Sequence, residues 1–199
     1  MSALRAIRYV VWAAVIVLGG ALLWFGVINR DGATGIAASS IGGPFQLVDQ
    51  RGAPVTEAAL QGHPSAMFFG YTFCPDVCPT TLADMTLWLK DLGPAGDRLK
   101  PYFVTVDPER DTPEAMAAYL SAFDPRITGL TGSRAAIDAM LKGFRVYSKK
   151  GESTGGAPYT MDHTASVYLL DDKGRFVGTV DYQEKPETAL AKLKRLVGS

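Results

Sequence analysis

Hydrophobic positions along the chain follow two spacings in turn, which predicts strands and helices in alternation. Continuous apolar runs at residues 66–71 and 102–106 are typical of strands covered on both faces of a sheet. After each run, apolar residues recur every three or four positions, as on the buried stripe of a helix. Thr112 followed by Pro113, and later Ser133, stand where helix N-caps are expected. The pattern therefore predicts an α/β protein.

Shorter strands are predicted on both sides of this central part. Residues 45–48 and 54–56 predict an N-terminal hairpin, and residues 164–170 and 175–182 predict a second hairpin. Pro186 then opens the last helix. Strands that alternate with helices and end in a hairpin and a helix predict an α/β sandwich with a mixed central sheet.

The segment around Pro79 joins the first buried strand to a helix. Its apolar stripe consists of Leu82, Met85, Leu89 and Leu92. Because a proline disfavours helical geometry in the preceding residue, we expect Cys78 at the N-cap and Pro79 at the first helical position. Residues 149–161 are polar and rich in glycine, which is typical of a loop that covers a site.

The N-terminal segment differs in composition. Residues 9–28 are apolar throughout, and about 20 such residues can cross a ~30 Å hydrocarbon core as a helix. Arg5 and Arg8 precede the run and Arg30 follows it, which favours a cytoplasmic N-terminus. The alternative is a signal peptide cleaved near residues 36–38, but its apolar region should span only about 7–15 residues. We therefore expect an uncleaved anchor. The eight residues before it are too few for a mitochondrial presequence, so we expect a bacterial inner membrane.

This composition predicts four segments. They are a cytoplasmic N-terminus (1–8), a transmembrane anchor (9–28), a flexible linker (29–43) and a folded periplasmic domain (44–199). Arg5 and Arg8 are the only charged residues before residue 29. The remainder thus keeps all 20 acidic residues but 18 of the 20 basic ones, which argues against a nucleic-acid partner.

Cys74 and Cys78, the only cysteines of the chain, lie where the first buried strand meets a helix. A helix N-terminus lowers the pKa of a thiol, and the thiolate is the form that binds metals or attacks disulfides. Two thiolates alone are an incomplete metal site. Thiolates together with an imidazole are suitable ligands for a soft cation such as Cu(I). In an oxidising compartment the same pair could form a structural disulfide instead.

The chain has two histidines that could complete such a site. His63 lies in a turn and is predicted to be an ordinary surface residue. His163 lies at a strand start beside Asp162, whose carboxylate could orient the ring. From position alone, His163 is either a third ligand or a polar residue satisfied at a strand edge. Met161 is a weaker ligand candidate.

Three blocks of the sequence resemble those of the Sco/SenC family of copper-binding cytochrome c oxidase assembly factors. Residues 70–82 (GYTFCPDVCPTTL) resemble the signature of that family. Residues 104–113 (VTVDPERDTP) resemble its second block, and residues 162–171 (DHTASVYLLD) its third. The blocks occur in the order of the family, and the resemblance extends from about Ile41 to the C-terminus.

The resemblance implies a thioredoxin-like fold and a copper site, for Cu(I) or Cu(II), made of Cys74, Cys78 and His163. It implies a metallochaperone, not an enzyme, that delivers copper to the CuA centre of cytochrome c oxidase subunit II. A periplasmic copper donor or thiol reductant is then a further expected partner. A thiol–disulfide oxidoreductase acting on CuA or other exported cysteines is the alternative, because exchange also needs an exposed thiolate. His163 distinguishes the two, since exchange does not require it.

Overall fold

The structure is a computed structural model that describes two long stretches and a few N-terminal residues: 9, 12–13, 17–19, 41–152 and 159–198. The chain divides into two units, Met1–Ser39 and Ser40–Ser199. The described residues of the first unit are helical. Most of the predicted span at 9–28 lies outside the described residues. Among those that are described, no helix is both long and apolar enough to cross a membrane.

The second unit is built on a mixed sheet. In chain order the strands are β1 Gln46–Asp49, β2 Pro54–Thr56, β3 Ser65–Gly70, β4 Lys100–Thr105, β5 Thr128–Thr131, β6 Ser148–Lys150, β7 Met161–His163, β8 Val167–Leu170 and β9 Phe176–Val180. Seven of them form one sheet in the order β2-β1-β5-β4-β3-β8-β9. β3, β4 and β5 run parallel, and the outer strands are antiparallel to their neighbours. β6 and β7 form a separate antiparallel ribbon.

Four α-helices in the described part of this unit connect or follow the strands: α1 Val77–Asp91, α2 Pro113–Leu120, α3 Arg134–Phe144 and α4 Pro186–Gly198. The predicted caps are confirmed. The Thr112 hydroxyl accepts from the Ala115 amide at 3.3 Å, and the Ser133 hydroxyl accepts from the Ala136 amide at 3.2 Å. These local hydrogen bonds fix where α2 and α3 begin.

The core lies on both faces of the central strands. Phe68 of β3 and Phe103 of β4 stack on one face with their ring centroids 5.9 Å apart. On the opposite face, the Phe69 ring packs against Phe144 of α3 at 5.6 Å. All six residues of β3 are buried, and so is the predicted stripe of α1. The predicted α/β sandwich with a mixed sheet is confirmed.

The start of α1 differs from the prediction. The helix begins at Val77, so Cys78 lies within the first turn and is not the N-cap. Pro79 is tolerated there because the first amides of a helix have no intrahelical acceptor to lose. The Thr80 amide is the first to bond back, to the Asp76 carbonyl at 3.2 Å.

Three further regions differ from the prediction. β5 is a four-residue strand containing Gly129, too short to stand out in the hydrophobic pattern. Both ends of the predicted loop at 149–161 pair as β6 and β7, while residues 153–158 are outside the described part. β8 begins three residues later than expected, at Val167, so His163 ends a ribbon strand and lies outside the main sheet.

Candidate metal centre

Three side chains with soft or borderline donor atoms converge beyond the end of β3. The ligand atoms of Cys74, Cys78 and His163 all lie within 4.8 Å of one another. Cys78 Sγ is 3.4 Å from His163 Nε2. Neither cysteine is in a disulfide; Cys78 is fully buried, and Cys74 is partly exposed. The arrangement can accept an ion from solvent on the Cys74 side.

The segment from Tyr71 to Cys78, called the cysteine loop below, joins β3 to the first turn of α1 and is shaped by backbone hydrogen bonds. The Cys74 amide donates to the Tyr71 carbonyl at 3.3 Å, which turns the chain as it leaves β3. Cys74 Sγ accepts the Cys78 amide at 3.3 Å. The side chain of the N-cap residue Asp76 makes no capping hydrogen bond among the described residues. A cysteine sulfur therefore accepts a hydrogen bond from an amide of the first turn, where a side-chain oxygen is the usual acceptor.

The two thiols have opposite pKa shifts. A hydrogen bond with the Cys78 side chain, helped by the amides of Asp76 and Cys78, lowers the pKa of Cys74 to about 3 despite its partial burial. The same hydrogen bond with Cys74, together with burial, raises the pKa of Cys78. Cys74 is therefore the thiolate and Cys78 the thiol that donates to it. A metal ion bound by both sulfurs must displace the Cys78 proton.

The imidazole of His163 is oriented by the main chain. Its Nδ1 lies 3.0 Å from the Thr164 carbonyl oxygen, which can only accept, so Nδ1 carries the proton. Nε2 is then the ring nitrogen with a free lone pair, and it faces Cys78. The expectation that Asp162 orients the ring is wrong, because this residue is exposed and Thr164 provides the acceptor. A carbonyl partner of this kind fixes the tautomer of a ligating histidine.

Gly70, the last residue of β3, leaves room for the buried thiol. A Cβ at this position would lie 2.7 Å from Cys78 Sγ and 2.8 Å from Phe103 Cε2. Sequence reasoning assigned no role to this residue. The available signal was a glycine inside an otherwise apolar buried run, which often marks a close approach of another group.

The second sequence block fastens the cysteine loop to β4 through Asp111, which is fully buried. Its carboxylate accepts hydrogen bonds from the hydroxyls of Thr72 and Thr105, both at 2.6 Å. The Thr72 amide adds a further contact at 3.2 Å. Burial raises the pKa of Asp111 although these donors oppose the shift. Sequence reasoning noted the block but assigned no role to Asp111. Its carboxylate holds Thr72, which stands two residues before Cys74, rather than any of the candidate ligands.

The other two candidate ligands lie elsewhere. His63 precedes β3, at the end of the strand opposite to the cysteine loop, and its Nδ1 is 3.4 Å from Ser65 Oγ. Met161 is buried and lines a cavity between α3 and the ribbon together with Arg134 and Lys150. Of the candidates named from sequence, the structure therefore brings together the two cysteines and His163.

Several curated proteins are similar in sequence. The mitochondrial SCO1 protein of Saccharomyces cerevisiae is 38% identical over 188 residues, which cover 87% of this chain and 63% of that protein. The mitochondrial SCO2 protein of the same yeast is 35% identical over 160 residues, covering 79% and 53%. The SenC protein of Rhodobacter capsulatus is 36% identical over 154 residues, covering 77% and 69%. The aligned region thus covers between 53% and 69% of the length of these relatives.

Solved structures share the fold. Bradyrhizobium japonicum ScoI with copper bound superposes with a TM-score of 0.73 at 50% identity, over 79% of this chain and 99% of that one. Yeast Sco1 with copper bound gives 0.74 at 40% identity, over 80% and 90%. These likenesses confirm the thioredoxin-like α/β fold with a mixed sheet. The SCO1/SenC family model matches residues 33–198, so the chain belongs to the SCO1/SenC family.

Proposed function

We propose that the chain is a copper metallochaperone whose cargo is held by Cys74, Cys78 and His163. The observation that carries this proposal is the convergence of the two sulfurs and the imidazole nitrogen within 4.8 Å. Thiolate and imidazole donors suit copper. Structures of similar Sco proteins hold copper, which supports the same cargo here.

The donor set favours copper over zinc. Structural zinc sites have four protein ligands, whereas the group found among the described residues offers three. Copper also stands above zinc in the affinity order of divalent first-row ions. We expect copper to occupy the site when both metals are offered in equal amounts. A protein recovered mainly with zinc after that competition would contradict the copper proposal.

The proposal is tested by the copper content of the soluble fragment that starts near Ala37. We expect one copper per reduced chain. His163→Ala should lose tight binding because one of three donors is removed, whereas His63→Ala, the matched control at the other end of β3, should bind as the parent does. Unchanged copper affinity in the His163 variant would contradict the three-ligand site.

We further propose that the cargo is delivered to the CuA centre of cytochrome c oxidase subunit II. The family membership and the resemblance to oxidase assembly factors support this destination. A periplasmic copper donor or thiol reductant would load or reduce the site. Copper transfer from the loaded fragment to a purified, reduced CuA domain tests the step. Retention of copper by the fragment after mixing would argue against delivery to this partner.

Such delivery requires the domain on the exported side of the membrane. The proposed organisation is a cytoplasmic segment at 1–8, an anchor at 9–28, a linker at 29–43 and a periplasmic domain at 44–199 of a bacterial inner-membrane protein. A C-terminal alkaline phosphatase fusion should then be active, and the protein should resist extraction with carbonate. An inactive fusion would exclude CuA delivery, whereas release into the periplasm would show only that the anchor is cleaved.

A thiol–disulfide oxidoreductase is the second candidate function, favoured by the pKa difference between the two thiols. The partly exposed Cys74 thiolate can attack a disulfide, and the adjacent Cys78 thiol can resolve the mixed disulfide. His163→Ala separates the two functions. It should abolish tight copper binding but spare the reduction of a disulfide substrate if exchange is the main activity.

A further inference from the structure

Arg110 contacts both halves of the candidate metal centre, the cysteine loop and the ribbon that carries His163. We propose that Arg110 is a positioning residue that holds the ribbon against the cysteine loop and so sets how firmly His163 is presented to copper. The inference deepens the proposed function and rests on it. Nothing in the sequence motif indicates this role, because Arg110 is 36 residues after Cys74 and 53 before His163.

On the cysteine side, Arg110 packs against two aromatic rings. The guanidinium carbon lies 4.6 Å from the ring centroid of Phe73 and 5.6 Å from that of Tyr71. Both distances are within the range of a cation–π contact. Phe73 immediately precedes Cys74, and the Tyr71 carbonyl accepts the Cys74 amide. The guanidinium therefore lies against the residues that shape the first ligand loop.

On the ribbon side, Arg110 contacts Tyr159 in two ways. The guanidinium carbon is 3.7 Å from the Tyr159 ring centroid, and Nη1 donates to the Tyr159 carbonyl at 3.0 Å. The Tyr159 hydroxyl donates to Asp107 Oδ1 at 3.0 Å. Tyr159 stands two residues before β7, which ends at His163. The position of this strand is thereby fixed relative to the cysteine loop.

The clamp formed by Arg110, Tyr159 and Asp107 contains an ion pair that is largely shielded from solvent. Only 15% of the Arg110 side chain and 1% of that of Asp107 are exposed, and the two form an ion pair. A planar guanidinium stacks on several rings while it donates from its edge, which an ammonium group cannot do. Removing water also strengthens the cation–π attraction.

A second polar contact of the ribbon is weaker. Lys150 of β6 donates to Glu109 at 2.9 Å, but about half of each side chain is exposed. Exposed ion pairs contribute little to stability because solvent screens them and both side chains lose freedom. The Arg110–Tyr159 contact, in which only 15% of the Arg110 side chain is exposed, is therefore the one expected to control the placement of β7.

The test is a double-mutant cycle on copper affinity. Arg110→Lys keeps the charge beside Asp107 but loses the stacking plane, and Tyr159→Ala removes the ring without leaving a buried charge unpaired. Each should weaken copper binding by about tenfold, the lower end of what the loss of an outer-shell partner costs. In a His163→Ala background neither should weaken binding further, because the ligand that they position is absent. Equal losses in both backgrounds, or none in either, would overturn the proposal.

Arg134→Lys is the matched control. Arg134 lies 3.7 Å from Asp107 but has no aromatic partner among the described residues, so this variant should bind copper like the parent. An equal loss in Arg134→Lys would show that any guanidinium beside Asp107, with or without aromatic partners, affects copper binding, and it would overturn the role of the clamp. Because Tyr159→Ala leaves the buried ion pair intact, it tests the clamp even if Arg110→Lys fails to fold.

A readout without copper separates the clamp from the proposed function. In the metal-free protein, the ¹⁵N imidazole signals of His163 should shift or broaden in Arg110→Lys, while those of His63 stay unchanged. Unchanged His163 signals would overturn the positioning role. If the parent binds no copper but the His163 signals respond, the proposed function fails and the positioning role stands.

Discussion

Helix α1 begins differently from helices α2 and α3. At α2 and α3 the hydroxyls of Thr112 and Ser133 accept an amide of the first turn. At α1 the Asp76 side chain makes no capping bond within the described part of the chain, and the Cys74 sulfur accepts the Cys78 amide instead. The same kind of amide thus stabilises a helix in two places and a thiolate in the third.

The start of α1 lacks a stabilising hydroxyl cap but stabilises a thiolate. A hydroxyl cap contributes about 1 kcal/mol to stability, which α1 forgoes. In return, amides and the Cys78 thiol hold Cys74 as a thiolate, the form that binds metals. Departures from local rules of this kind are expected at functional sites.

Cys74→Ser should give the largest effect, because it replaces the sulfur that accepts the Cys78 amide with a hydroxyl, the group that caps α2 and α3. The serine hydroxyl can accept the Cys78 amide, so the helix should keep its stability, but copper loses a soft donor. We expect copper binding to fall from one ion per chain to none after gel filtration. Cys74→Ala is the control, with the same loss of copper and about 1 kcal/mol less stability. Retention of copper by Cys74→Ser would show that Cys74 is not a ligand.

The second prediction concerns the reactivity of Cys74 in the metal-free protein. Because its pKa is lowered to about 3, Cys74 remains a thiolate as the pH falls from 8 to 5. Its alkylation rate by iodoacetamide should therefore stay nearly constant over this range. An ordinary thiol, with a pKa of about 8.5, would slow by roughly a thousandfold. Cys78 should stay unmodified because it is fully buried.

The control for this measurement is the protein unfolded in urea, where the hydrogen bonds to Cys74 are lost. There both thiols should react and the rate should fall about tenfold per pH unit, as for free cysteine. The same slope in the folded protein would show that the start of α1 does not lower the pKa of Cys74.

Features set by nearby residues could be predicted from the sequence. The caps Thr112 and Ser133 depend on hydrogen bonds within three residues, and the stripe of α1 depends on spacing alone. The thioredoxin-like fold and the proposed ligand set with His163 came from the family resemblance. His163 by itself had two possible interpretations, and the geometry now places its Nε2 beside Cys78.

Features set by contacts between distant segments could not be predicted. The bracing by Asp111 joins residues 39 positions apart, and the Arg110–Tyr159 contact joins residues 49 apart. No local pattern encodes such pairs. The role of Gly70 was missed for the same reason, since the atom that needs the space belongs to Cys78 in the next element.

The third prediction examines the support beneath α1. In Gly70→Ala the added methyl would lie 2.7 Å from Cys78 Sγ, so the helix start or the Phe103 ring must move. Overpacking of this kind costs about 1–3 kcal/mol in the free energy of unfolding. Gly198→Ala in α4 is the control, because no described atom beyond its chain neighbours and the nearby backbone of its own helix lies within 4 Å of the position that its added methyl would take. Denaturant unfolding measures both, and equal stabilities would contradict the tight packing of the buried thiol.

The smallest expected effect separates the helix starts directly. Thr112→Ala removes the hydroxyl that accepts the Ala115 amide and should lower the free energy of unfolding by about 1 kcal/mol, with copper binding unchanged. Asp76→Ala removes no capping bond among the described residues and should change stability by less than about 0.5 kcal/mol. The carboxylate of Asp76 would favour a helix N-terminus, but it also repels the Cys74 thiolate, so the two effects partly cancel. Urea unfolding of both variants at pH 7 measures the difference. A larger loss in Asp76→Ala than in Thr112→Ala would show that α1 is capped in solution by its aspartate and begins as the other two helices do.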